Sequence, residues 1–163
     1  MDLNVIGIAD MKISNQGTLL TYGLGSCVGI AIYDERTKWS GLIHIMLPDS
    51  NFFAVLDNPL KFADTGIPLM VDELVKKGAQ KSFMKAKIAG GSAMYANDKV
   101  KSAFFDIGKM NIQASLAALE KLDIEIIGQD TGGYCSRTLE FDIPMSSLKI
   151  KKMSKERLDI LHL

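Results

Sequence analysis

Short apolar runs cut by glycine and proline fill the first fifty residues, and this pattern restricts the fold more than any other feature of the chain. Residues 3–8, 18–22, 27–33 and 41–47 each read as a strand, with Gly23 and Gly25 interrupting the second run and Pro48 stopping the fourth. Asp34-Glu35-Arg36-Thr37 is polar and sits where 27–33 must turn back into 41–47. A chain that opens with four such strands needs something to cover them. Helical spacing appears only in the middle. A helix is predicted over much of 60–77, with Asn58-Pro59 at its start, Gly78 at its stop and a stripe of Phe62, Ile67, Met70, Leu74 and Val75. Pro68 inside it implies either a kink or a later start. A second helix is predicted over 109–122, with Ile112, Leu116 and Leu119 on one face. Strands return at 84–89, 124–128, 138–143 and 148–152. The alternation at 138–143 places Leu139, Phe141 and Ile143 on one buried face. The tail 154–163 has the pattern of one amphipathic helix. Many strands and two main helices give an α+β class, a mixed sheet with helices packed on a face.

Composition narrows the function classes. The 163 residues are 47% hydrophobic and 23% charged, enough for one domain with a sizeable core. Residues 1–153 are taken as that domain and 154–163 as its tail. Lys plus Arg and Asp plus Glu both total 19, so no broad basic field exists to attract nucleic acid or an anionic membrane. No run approaches the roughly 18 apolar residues of a membrane span. The N-terminal residues lack the basic start and long apolar stretch of a signal peptide. A cytoplasmic, reducing setting is expected, with both cysteines free.

Scarcity then directs attention. There are two cysteines, Cys27 and Cys135, and two histidines, His44 and His162. They have no accepted metal-ligand spacing, so no metal and no cofactor are expected. Cys27 follows Gly23-Leu24-Gly25-Ser26, where glycines permit close backbone approach and leave N–H groups to receive an oxyanion. His44 lies on the strand that returns from the Cys27 strand. A two-residue turn at Glu35-Arg36 pairs residues whose numbers sum to 71, and Cys27 with His44 gives that sum. The two then stand opposite each other on one face. A change of two in the sum makes them diagonal neighbours, still on one face; a change of one separates them. A neighbouring imidazole can take the thiol proton and return it to a leaving group, and Thr21 is a short polar residue able to orient that imidazole. On spacing alone, two core residues are the better description, because cysteine is often buried and His44 lies among Leu42, Ile43, Ile45 and Met46.

Thr21-Tyr22-Gly23-Leu24-Gly25-Ser26-Cys27 followed by Gly41-Leu42-Ile43-His44-Ile45-Met46-Leu47-Pro48-Asp49-Ser50 resembles the CheD family of chemoreceptor glutamine deamidases. Further blocks agree in order: Lys61-Phe62-Ala63-Asp64-Thr65, Ile88-Ala89-Gly90-Gly91-Ser92-Ala93-Met94, Ile107-Gly108 with Asn111, and Asp130-Thr131-Gly132-Gly133 with Arg137. The resemblance runs over about 3–152. It implies a layered α/β/β sandwich and a cysteine hydrolase in which Cys27 is the nucleophile, His44 the base and acid, and Thr21 the orienting residue. It implies conversion of receptor glutamines to glutamates through a thioester, with chemoreceptor cytoplasmic helices as substrate and a CheC-type phosphatase as partner. Gly25, Ser26, Gly90, Gly91 and Ser92 are then candidates for the oxyanion site and cleft floor. Phe104 and Phe105 fall in a segment without a family match; they read as core residues or, if exposed, as a partner contact. Two other classes are a regulatory binding module with little catalysis and a cysteine protease.

Overall fold

The computed structural model describes residues 2–52, 57–93 and 106–163. Ten strands form two five-stranded sheets. The strands are β1 (Leu3–Ile6), β2 (Met11–Ser14), β3 (Thr18–Leu24), β4 (Val28–Asp34), β5 (Ser40–Ile45), β6 (Met84–Gly90), β7 (Glu125–Thr131), β8 (Ser136–Asp142), β9 (Ser147–Met153) and β10 (Leu158–His162). The helices are α1 (Ala63–Lys77) and α2 (Ile107–Lys121). One sheet runs β2-β5-β4-β6-β7 and the other β1-β3-β8-β9-β10.

The first of these sheets is the middle layer. One of its faces joins α1 and α2 in a core of Val28, Ile30, Ile32, Ile43, Ile45, Ile67, Met70 and Leu74. The other face meets the second sheet in a core of Leu24, Ala31, Tyr33, Leu42, Leu139, Phe141 and Ile150. Covered on both sides, β4 and β5 are buried along their whole length. That is why they read as continuous apolar runs rather than alternating ones. In β8 one face only is covered, and Leu139, Phe141 and the following Ile143 are fully buried, as their alternation predicts. The result is a single-domain α+β sandwich with three layers, two helices over one sheet over another.

Several local expectations shift. A short strand, β2, falls where none is predicted and pairs antiparallel with β5. Pro68 lies within α1, which begins at Ala63 and continues to Lys77, so the helix starts before the proline and runs through it. Its missing N–H forgoes a single bond in the second turn. Val75, placed on the buried stripe, is 47% exposed, while Phe62 is buried just ahead of the helix. Gly78 ends α1 in the left-handed conformation, its N–H returned to Val75. In α2 the fully buried face is Gly108, Asn111, Ser115 and Leu119 rather than one centred on Ile112 and Leu116. The tail is not a helix. Residues 158–162 form β10, antiparallel to β9. Leu163 exchanges both backbone bonds with Leu148 and packs against the inter-sheet core. Lys87, which reaches across from β6, donates to the Ser146 and Leu163 carbonyls at 2.6 and 2.9 Å. A helical period cannot be told from a strand over so few residues when the edge of a sheet is open beside it.

Candidate active site

The β4–β5 hairpin turns over Glu35–Lys38 instead of over two residues. Asp34 N–H donates to Trp39 and Lys38 takes a positive φ of 63°. Val28 therefore faces Ile45 and Gly29 faces His44, a register sum of 73. This register puts His44 on the face that meets the second sheet, and Cys27, one residue before the ladder and two before the partner of His44, packs half-buried against the core of that face. Gly29 has no side chain for good reason: a Cβ there would stand 2.4 Å from Leu139 Cδ1. The two sheets approach at the place where His44 crosses between them.

His44 is fully buried. Its Nδ1 lies 2.8 Å from Thr21 Oγ1, on β3 of the other sheet. That hydroxyl has one hydrogen, and it is given to the Ile6 carbonyl at 2.9 Å. Thr21 must then accept from His44, so Nδ1 carries the ring proton and Nε2 keeps its lone pair. The parallel pairing of β1 with β3 sets Ile6 against Thr21, so an edge strand decides a tautomer. Nε2 is buried and has no hydrogen-bond partner among the described residues. Burial holds the ring down to about 4 and pushes the Cys27 thiol up. Burial thus works against the charged form of each group.

The connection carrying Cys27 is shaped by backbone bonds. Beyond Thr21 the β3–β8 register slips, a bulge beside the site. Gly25 donates to Gly23 and accepts from Ser92, and Cys27 accepts from Gly91. Gly90 has φ of 116°, and a Cβ there would be 2.3 Å from the Cys27 carbonyl. Among the described residues, the N–H groups of Ser26 and Cys27 donate to no backbone carbonyl. Gly25, Ser26, Gly90, Gly91 and Ser92 thus do gather around Cys27. Ser92 acts as a strut: buried, it donates to the Cys135 carbonyl at 2.5 Å and accepts from Arg137 Nη1 at 2.8 Å. Phe104 and Phe105 lie outside the described residues.

Two supports could not be read from the residues one by one. Arg137, 2% exposed, binds Asp130 Oδ2 and the Gly132 carbonyl, both at 2.9 Å, and so fastens the Gly132-Gly133 turn. Arg137 and Lys152 beside Asp130 hold its carboxyl below the usual range against the effect of burial. Asn111 on α2 donates to the Ser26 and Met46 carbonyls. Its sequence signal is its place after Ile107-Gly108 among the blocks that carry the family resemblance. His162 lies on β10, and Cys135 takes part through its carbonyl. Among the described residues no group of three His, Cys, Asp or Glu could hold a metal ion, and no helix is long and apolar enough to cross a membrane.

Residues 46–152 match the family described as CheD chemotactic sensory transduction. The chain is 49% identical over 138 residues to a protein of Clostridium botulinum strain Eklund 17B, covering 84% of this chain and 85% of that one. The chain belongs to the CheD family. A relative from Clostridium kluyveri is 47% identical over 147 residues, 90% of each chain. One from Caldanaerobacter subterraneus is 47% identical over 137 residues, 83% of this chain and 84% of its own. All three carry the name "Probable chemoreceptor glutamine deamidase CheD". The CheD match begins at Met46, immediately after the strand that carries His44.

Proposed function

We propose that this chain deamidates glutamine side chains on the cytoplasmic helices of chemoreceptors, with Cys27 as nucleophile, His44 as base and acid, and Thr21 as the residue that orients His44. The observation that carries the reading is the Thr21–His44 bond, with Thr21 committed to Ile6: it leaves a basic Nε2 on the face shared with Cys27.

Cys27 Sγ adds to the glutamine Cδ as its proton passes to His44 Nε2. The carbonyl oxygen becomes an oxyanion, for which the N–H groups of Ser26 and Cys27 are available. The tetrahedral adduct collapses, the C–N bond breaks, and Nε2 returns the proton so that ammonia leaves. A γ-glutamyl thioester remains. Water gives a proton to Nε2 and adds to the thioester carbon; the C–S bond breaks and the proton returns to sulfur. Glutamate and free thiol result. Starting from the neutral pair, each proton transfer is coupled to bond making, and such general acid–base steps contribute roughly 10²–10⁴-fold.

Intact-mass measurement of a receptor cytoplasmic fragment tests this. A gain of about one mass unit per modified glutamine is expected, from replacement of NH₂ by OH. Cys27→Ala should abolish the gain while leaving the fold intact. Deamidation at the wild-type rate by that variant would refute the assignment, and cleavage of the fragment would mean a protease. The family resemblance also supports binding of a CheC-type phosphatase. A binding module alone needs no imidazole fixed in one tautomer, and the 2.8 Å Thr21–His44 bond favours the enzyme.

A further inference from the structure

We infer that Asn111 is a positioning residue that sets the distance between the nucleophile segment and the strand carrying the base. The β4–β5 ladder ends at Val28 opposite Ile45. Past that pair the two chains part: the Cys27 carbonyl turns to Gly91 N–H, and Met46 N–H turns to the Lys61 carbonyl. Asn111 spans the gap. Its Nδ2 gives one hydrogen to the Ser26 carbonyl at 2.9 Å and the other to the Met46 carbonyl at 3.0 Å. Only the nitrogen end of the amide can serve two carbonyls. Ser26 precedes Cys27, and Met46 follows His44 by two residues, so one fully buried side chain ties both catalytic segments together.

The helix that delivers the amide is itself held. Asp106 caps α2 by accepting from Lys109 N–H. Gly108, three residues before Asn111 and on the same face, lies so close to Gly91 and Ser92 that a Cβ would stand 2.6 Å from the Gly91 carbonyl and 2.4 Å from the Ser92 carbonyl. The amide therefore works from a platform seated on the floor of the site. It touches no reacting atom. An error of about 1 Å in placing reacting groups costs on the order of 10²-fold in rate.

This role rests on the pairing of Cys27 with His44 proposed above. It is tested by a double-mutant cycle read on thiol chemistry, in the full chain with Cys135→Ser. Cys27 alkylation by iodoacetamide is measured at neutral pH in wild type, His44→Ala, Asn111→Ala and the double variant. His44→Ala is expected to change the alkylation rate in the wild-type background. In the Asn111→Ala background that change should shrink to a factor near one, because the thiol is no longer held against the ring. On a receptor fragment, Asn111→Ala should lower kcat about 10²-fold with KM little altered. Ser115→Ala, one turn along the same buried face, removes a hydroxyl that has no hydrogen-bond partner among the described residues and should leave the alkylation ratio as in wild type. If Asn111→Ala fails to fold, Asn111→Ser, whose single donor cannot serve both carbonyls, takes its place in the cycle with the same expectation. A His44 effect of equal size in both backgrounds overturns the role of Asn111 alone. No His44 effect even in wild type overturns the Cys27–His44 pairing, and the role of Asn111 with it.

Discussion

In the proposed mechanism His44 accepts a proton in a place where burial makes a charged ring costly, and Thr21 is the residue proposed to keep it useful. With its own hydrogen committed to Ile6, the Thr21 hydroxyl can only accept, so the proton stays on Nδ1 and the lone pair on Nε2. Thr21→Val preserves shape and removes the acceptor, leaving a buried N–H and the Ile6 carbonyl unsatisfied. Loss of about 1–3 kcal/mol of stability is expected from chemical denaturation. Deamidation should fall by about 10²-fold or more, and the ring-nitrogen shifts of His44 should move toward a mixture of tautomers. Thr21→Ser, which keeps the hydroxyl, should retain most of the activity. At this scale the sequence went far: the glycine-flanked Cys27, the lone internal His44 and Thr21 are visible as residues, and an even shift of the hairpin register keeps the first two on one face. The register, by contrast, depended on turn geometry. Four residues at 35–38 instead of two moved the partner of His44 from Cys27 to Gly29, because Asp34 and Trp39 close the turn and Lys38 adopts a left-handed backbone.

The elements that carry no catalytic group hold the loops that do. Arg137 on β8 reaches Ser92, Asp130 and the Gly132 carbonyl, and joins two glycine turns that lie far apart in sequence. Arg137→Met keeps much of the side-chain volume and leaves Asp130 with Lys152 as its remaining ion pair. Breaking a buried pair from one side costs about 3 kcal/mol, which a urea midpoint reads directly. The activity should drop along with it, since the strut at Ser92 N–H holds Gly25. Arg137→Lys should recover only part of the stability, because an ammonium cannot present the same fork. The resemblance marked Arg137, Asp130 and Asn111, but their supporting roles were not legible in the sequence, for a physical reason. An Asp, an Arg and an Asn are ordinary surface residues until a fold buries them. Asn111 sits in a helix whose apolar spacing points to Ile112 and Leu116, yet α2 packs its small polar face inward against the site.

For the whole molecule, the same burial that tunes His44 makes stability depend on pH. The ring takes up a proton near 6.5 in the unfolded chain and only near 4 in the folded one. Above about 6.5 both states are neutral and the full stability is present. As pH falls from there toward 4, the unfolded chain gains the proton first and stability is lost, by up to about 3 kcal/mol. Below about 4 both states are charged and this contribution no longer changes. The difference in unfolding free energy between wild type and His44→Gln, followed from pH 7 to pH 4, should show that slope. A flat difference would mean the ring is not buried neutral. The layering behind this was partly legible. The residues implied a mixed sheet with two helices packed on a face, and the structure bears that cover out. Two sheet layers were implied only by the resemblance; which strand joins which sheet, and the placing of the tail as β10, were not legible, since pairing partners lie far apart in the chain.

The sequence by itself determined which residues can do chemistry, which runs are strands or helices in the middle of the chain, and the family to which the chain belongs. These are local matters, set by side-chain identity and by the periods of the two regular structures. Only the tertiary structure decided that a carbonyl from β1 sets the tautomer of His44 on β5, that Asn111 bridges Ser26 and Met46, and that burial disfavours the charged form of both members of the proposed pair. Those depend on distances between segments remote in sequence and on how completely water is excluded from them, and neither is encoded in any single stretch of the chain.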